Sequence, residues 1–98
     1  MDNLGKRLKE LRNERDLTLD MVVYDMNQKY NIEITKSNLS RWENAINEPS
    51  LHYARFLCLY YGVSLDYLIG NTEIRTPVNL LRQKKAQKPA DKKEKPNG

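Results

Sequence analysis

The chain has one cysteine, Cys58, and one histidine, His52. A single thiol excludes an intramolecular disulfide and favours a reducing, cytoplasmic setting. A metal site needs several His, Cys or carboxylate ligands at matched spacing, and none is arranged around His52, so neither a metal nor another cofactor is expected. Long apolar runs are missing too. The longest, Phe56 to Tyr61, falls far short of the ~20 residues that cross a bilayer. The N-terminus carries Asp2, Lys6 and Arg7 where an export signal has an uninterrupted apolar stretch. There is no Gly-rich phosphate loop and no Ser or Cys nucleophile with a usable base, so catalysis is not expected. Glu43 lacks an acidic, His or metal-ligand partner at useful spacing, which gives it a structural or helix-pairing role. No run alternates with period two between hairpin turns, which excludes a substantial sheet.

Positive charge is scarce in the body of the chain. Residues 1–70 hold nine Lys or Arg against ten Asp or Glu, a balance of −1, whereas residues 71–98 hold eight against three, a balance of +5. The overall +4 therefore belongs to the tail. A strongly basic domain is the usual footprint of nucleic-acid binding, so any such function here depends on where the charges sit. At 98 residues and 39% hydrophobic content, there is room for one small domain with a modest core.

What the chain does have is helical punctuation. Leu4, Leu8 and Leu11 recur at spacings of four and three among charged residues, the apolar stripe of a first helix ending near Arg15. Asp16 and Leu17 make a turn. Thr18 caps a second helix whose Leu19, Val22, Val23, Met26 and Tyr30 share one face, with Asn31 as its stop. Thr35 caps a third. After a polar connection from Asn44 to Pro49, Ser50 caps a fourth helix that carries Leu51, Ala54, Leu57, Cys58 and Tyr61 as far as Gly62. Ser64 caps a short fifth, Leu65 to Ile69, closed by Gly70.

The expected fold is all-α, a compact five-helix domain over residues 1–72. Residues 73–98 are expected to form a flexible Lys/Pro-rich tail, because past Gln83 almost nothing apolar remains to offset ordering entropy. Within it, Ile74, Val78, Leu80 and Leu81 mark a short partner-contacting segment at 74–82, interrupted by Pro77. Lys84, Lys85, Lys88, Lys92, Lys93 and Lys95 either stay solvated or add nonspecific attraction to DNA.

The third helix lies in I-T-K-S-N-L-S-R-W-E-N, from Ile34 to Asn44. Leu39 and Trp42, three apart, form an anchoring side, and Lys36, Ser37, Asn38, Ser40 and Arg41 populate the rest. The plain reading of such a polar face is a solvated surface. The sharper one is a groove reader, since Lys, Ser, Asn and Arg can donate to guanine acceptors, pair with adenine or hold phosphate oxygens. Trp42 belongs to the core or its boundary, Cys58 is a buried inert thiol, and His52 lies on the surface. Tyr53, Tyr60, Tyr61 and Tyr67 either close the bundle or face a partner subunit.

Four segments, taken in order over residues 4–71, resemble the helix-turn-helix domain of the lambda-type repressor and Cro superfamily, the XRE family. They are L-K-E-L-R-N-E-R-D-L-T, S-N-L-S-R-W-E-N at Ser37 to Asn44, E-P-S-L at Glu48 to Leu51, and G-V-S-L-D-Y-L-I-G at Gly62 to Gly70. The resemblance implies a bundle whose second helix crosses the DNA backbone and whose third lies in the major groove, usually in a homodimer on a pseudo-palindromic operator. By position it implies base contacts from Lys36, Ser37 and Arg41, with Asn38 and Ser40 at neighbouring groove sites. Thr18, Lys29, Thr35, Asn44 and Asn47 are the expected phosphate contacts.

The expected function is a sequence-specific transcriptional repressor of phage or mobile-element type, bound to double-stranded operator DNA as a homodimer. An antitoxin or other protein-interaction module on the same fold is the alternative, and an antirepressor or other regulatory protein is a further partner class. Leu65, Tyr67, Leu68 and Ile69, with Ile74, Val78 and Leu81, are the expected dimer surface. Three departures from the family pattern have structural consequences. Leu19 stands where a phosphate-binding Gln is common, with Asp20 beside it. Val23 stands where the helix contact usually has Ala, which requires a wider crossing or repacking. The segment N-Q-K-Y-N-I-E between Met26 and Ile34 is several residues longer than the family's tight turn, so the second helix should run on into a loop.

Overall fold

The computed structural model describes residues 3–77. Among the described residues are five α-helices and no strand: α1 (Asn3–Glu14), α2 (Leu19–Tyr30), α3 (Lys36–Glu43), α4 (Leu51–Tyr61) and α5 (Leu65–Leu68). The last four start where the sequence marks a cap. Thr18 and Thr35 Oγ1 accept from the Met21 and Asn38 amides at 3.1 and 3.0 Å, and Ser50 and Ser64 Oγ from those of Tyr53 and Tyr67 at 3.3 and 2.9 Å. Each occupies a donor that the first helical turn leaves unpaired, for about 1 kcal/mol. Left-handed residues stop two helices, Asn31 at φ 54° for α2 and Gly62 at φ 69° for α4. The remaining tail, with Val78, Leu80, Leu81 and the lysine series, lies outside the described residues.

The apolar stripes converge on one core. Leu4, Leu8 and Leu11 of α1 meet Val22 and Met26 of α2, Leu39 and Trp42 of α3, and Leu57 and Tyr61 of α4, with Val63, Tyr67 and Leu68 closing the end. A fully buried Leu or Val contributes roughly 1.5–3 kcal/mol relative to leaving it in water. Leu51, expected on the buried face of α4, is instead 66% exposed. The inward line of α4 begins at Ala54, and Leu51 sits in the exposed first turn beside Ser50 and His52.

The expected dimer surface needs a larger correction. Tyr67 and Leu68 are buried, at 4% and 0% exposed. A one-turn helix has few apolar residues, and α5 places these two inward beside Val63, leaving Leu65 and Asp66 outside. Leu65 and Ile74 remain exposed and Ile69 half-buried.

The long second helix and the loop after it follow the sequence reading. Helix α2 runs to Tyr30, and Val23 is partly buried against the core. The loop is fixed by one side chain that the sequence did not flag. Asn27 Nδ2 donates to the Ile34 carbonyl, and Asn27 Oδ1 accepts from the Ile34 amide, both at 2.9 Å. This pairing immediately precedes the Thr35 cap, so it sets where α3 begins.

Beyond α5 the chain returns along α1. Arg7 donates to the carbonyls of Tyr67 and Thr72 and to the Glu73 carboxylate, while Arg75 forks onto both Glu14 oxygens at 2.8 and 2.7 Å. The Arg75 hydrogen bond holds the Glu14 carboxyl below its ordinary range. Both guanidinium groups face the Tyr67 ring, 4.1 and 5.2 Å from its centroid. At the far end of α1, Arg15 caps α4 by donating to the Tyr61 carbonyl at 2.7 Å.

Ala45, just past α3, sits at φ 59°, where an L side chain other than Asn or Asp is strained. Ala45→Gly is expected to stabilise the domain by up to about 1 kcal/mol, the relief of strain exceeding the entropy added to the unfolded chain. Urea unfolding checks this; a less stable Gly variant contradicts it.

Candidate nucleic-acid interface

Helix α3 is held at both ends. Leu39 and Trp42 are buried, and the Trp42 ring tilts against Tyr53 with centroids 5.9 Å apart. Glu43, also buried, accepts from Arg12 Nε and Nη2 at 2.8 and 3.0 Å, and Arg12 Nη1 donates to the Leu17 carbonyl at 2.8 Å. The Glu43 hydrogen bond raises the Arg12 pKa further above its ordinary value. Next to this pair α1 comes so close that a Cβ on Gly5 would lie 2.5 Å from the Trp42 carbonyl oxygen. The C-terminal end of α3 is thus locked to α1, and Asn27 fixes its N-terminal end to α2.

What faces outward is polar. Lys36, Ser37 and Arg41 are exposed on one short helix, and the Arg41 carbonyl accepts from the Ile46 amide at 2.9 Å while its guanidinium makes no hydrogen bond among the described residues. Lys36 Nζ lies 3.6 Å from the Asp20 carboxylate, joining the first turns of α2 and α3. Asn38 differs from the expectation of a free reader. Its Oδ1 accepts from the Thr35 amide at 2.9 Å, closing a capping box, and a bidentate contact to adenine needs that same oxygen. Ser40 is half-buried, its carbonyl and hydroxyl both facing the Asn44 amide.

The expected phosphate contacts separate into groups. Thr18 and Thr35 use their hydroxyl oxygens as cap acceptors, which leaves each O–H as a donor. They stand at the N-termini that Asp20 and Lys36 bring together. Asn44 and Asn47 lie exposed beyond the other end of α3, where Asn44 Oδ1 accepts from Lys9 Nζ at 3.3 Å. Lys29 is exposed on the last turn of α2, about 16 Å of helix away from Thr18.

Arg12, Gly5, Asn27 and Lys9 escaped the sequence reading because their roles depend on partners 7 to 38 residues away. Gly5 carried one usable signal. A glycine inside a helix costs about 1 kcal/mol against alanine, so it points to a close contact.

Other chemistry is sparse among the described residues. No three His, Cys, Asp or Glu side chains are grouped to hold a metal ion. Burial pushes the Cys58 thiol up to about 11, which keeps it protonated and unreactive near neutral pH. Among the described residues no helix is long and apolar enough to cross a membrane.

A helix anchored by its apolar side, with a second helix placed across its N-terminus and polar side chains outward, defines a helix-turn-helix domain. The sequence pattern of the helix-turn-helix domain family matches residues 5–74, and the chain belongs to this family, of the XRE-like type. Among similar proteins is the HTH-type transcriptional regulator ImmR of Bacillus subtilis (strain 168). It is 35% identical over 72 residues, which is 74% of this chain and 52% of ImmR, so the chain spans about half the length of that relative.

Proposed function

We propose that the protein is a DNA-binding transcriptional regulator that represses by seating α3 in the major groove of an operator. The observation that carries this reading is the exposed Lys36, Ser37 and Arg41 on a helix locked at both ends. A reader held rigidly by its scaffold loses little entropy on binding, which favours specificity. The name of the similar regulator from Bacillus subtilis supports the transcriptional role. Arg41 pairs bidentately with a guanine, Lys36 and Ser37 contact neighbouring base edges, and Thr18, Thr35, Asn44 and Asn47 hold the backbone.

Repression follows from occupancy of promoter DNA, in the manner of a phage or mobile-element repressor. The protein works as a homodimer through Leu65, Ile69 and Ile74, a small surface whose affinity for DNA is gained by linking two half-sites. Lys29, at the far end of α2, adds a backbone contact.

Arg41→Ala is expected to weaken operator binding about 5- to 150-fold, the worth of one bidentate base contact, while leaving nonspecific binding much less affected. Titration of operator and scrambled duplexes at one salt concentration measures both. Equal losses on the two duplexes would make Arg41 a phosphate contact, and no loss on either would remove α3 from the interface.

A further inference from the structure

Three residues of α1 meet the C-terminal end of α3. Gly5, Lys9 and Arg12 are spaced i, i+4, i+7 and so form one stripe of the helix. Gly5 lies against the backbone carbonyls of Trp42 and Glu43, Arg12 grips the Glu43 carboxylate, and Lys9 reaches Asn44 Oδ1 at 3.3 Å. The first two contacts are buried and fix α1 in place. Lys9 alone of the three is exposed, beside an equally exposed Asn44.

We infer that Lys9 is a DNA-backbone contact supplied by α1, from outside the helix-turn-helix unit, and that it acts together with Asn44 on one phosphate. The inference rests on the groove-binding reading of α3. A helix of the length of α3 is about 12 Å from end to end. The major groove is also about 12 Å wide, so a helix lying across it meets a phosphate wall near each end. Thr18 and Thr35 serve the wall at the N-terminal end. At the opposite end the helix offers carbonyl oxygens and a negative dipole, which repel phosphate. An amide and an ammonium at that end reverse the local sign. Arg41 also lies in the last turn of α3 but is assigned to a base, so Lys9 is the exposed cation left there for the backbone, and its ammonium has two further donors while one faces Asn44. The body of the chain carries no net positive charge, so individual cations at the backbone matter more than bulk attraction.

The competing role for Lys9 is purely structural, as a charge on the C-terminal end of α3. Salt dependence distinguishes the two, because each phosphate neutralised adds about one to the slope of log affinity against log salt. Lys9→Ala is expected to weaken operator and scrambled duplex equally, by several-fold, and to lower that slope by about one on both. Lys9→Arg restores the slope, and Lys6→Ala, the same charge change one turn away, leaves it near the wild-type value. An unchanged slope in Lys9→Ala overturns the inference whether or not thermal stability falls, and so does an equal drop in Lys6→Ala, which marks bulk charge. A slope drop at Lys9 with binding indifferent to Arg41→Ala sustains the Lys9 contact and overturns the groove reading instead. A wild-type protein that binds no duplex overturns both.

Discussion

Arg12→Ala is expected to destabilise the domain by about 3–5 kcal/mol, because it leaves the Glu43 carboxylate buried without its partner. The Glu43 side chain is 2% exposed and that of Arg12 15%. Water therefore reaches the guanidinium more easily than the carboxylate. The two truncations should differ accordingly, with Glu43→Ala less harmful than Arg12→Ala, which also frees the Leu17 carbonyl. A domain of this size is stable by only on the order of 5–10 kcal/mol, so either variant moves the urea midpoint sharply. Replacing both residues together, as Arg12→Met with Glu43→Leu, removes the desolvation penalty along with the ion pair and should recover much of the loss. Urea unfolding of the three variants tests the account. A loss below about 1 kcal/mol in Arg12→Ala would mean the pair behaves like an exposed one.

Gly5→Ala should destabilise by about 2–3 kcal/mol, the reverse of what the substitution does in an open helix, where it gains up to about 1 kcal/mol. The added Cβ would lie 2.5 Å from the Trp42 oxygen and 2.8 Å from the Glu43 oxygen, and both are backbone atoms that no rotamer change can move. Relief requires α1 to shift away from α3. That shift strains the Arg12 fork and the seat of Leu8 and Leu11 in the core. Gly5→Val should be worse, with a β-branched side chain at the same contact. Thermal unfolding of the Ala variant decides the matter; a raised midpoint shows that the two helices are not in contact as described.

The helices were legible because their signals are local. Hydroxyl caps at Thr18, Thr35, Ser50 and Ser64, left-handed stops at Asn31 and Gly62, and leucines at spacings of three and four all act within one turn. The lengthened second helix was legible from the run of residues between Met26 and Ile34. Partner choice was not. The Glu43 of a short polar helix and the Arg12 of a charged one read like ordinary surface residues in sequence, and only the crossing of α1 with α3 buries them together. Asn27 likewise reads as a polar helix residue, yet it holds the loop at Ile34. Tyr67 and Leu68 were misplaced because a four-residue helix has too few turns for periodicity to separate its inner from its outer face. The polar face of α3 was visible as residue types, but the capping role of Asn38 depends on a hydrogen bond that competes with groove reading.

The central claim is that α3 meets base edges in the major groove with Arg41 on a guanine. Methylation interference on a selected operator tests it most directly, since methyl groups at guanine N7 occupy the major groove and those at adenine N3 the minor groove. The account predicts that guanine N7 methylation within each half-site blocks the wild-type protein, and that Arg41→Ala loses the interference at one guanine while keeping the rest. Interference confined to adenine N3, or a guanine pattern identical in wild type and Arg41→Ala, would contradict it.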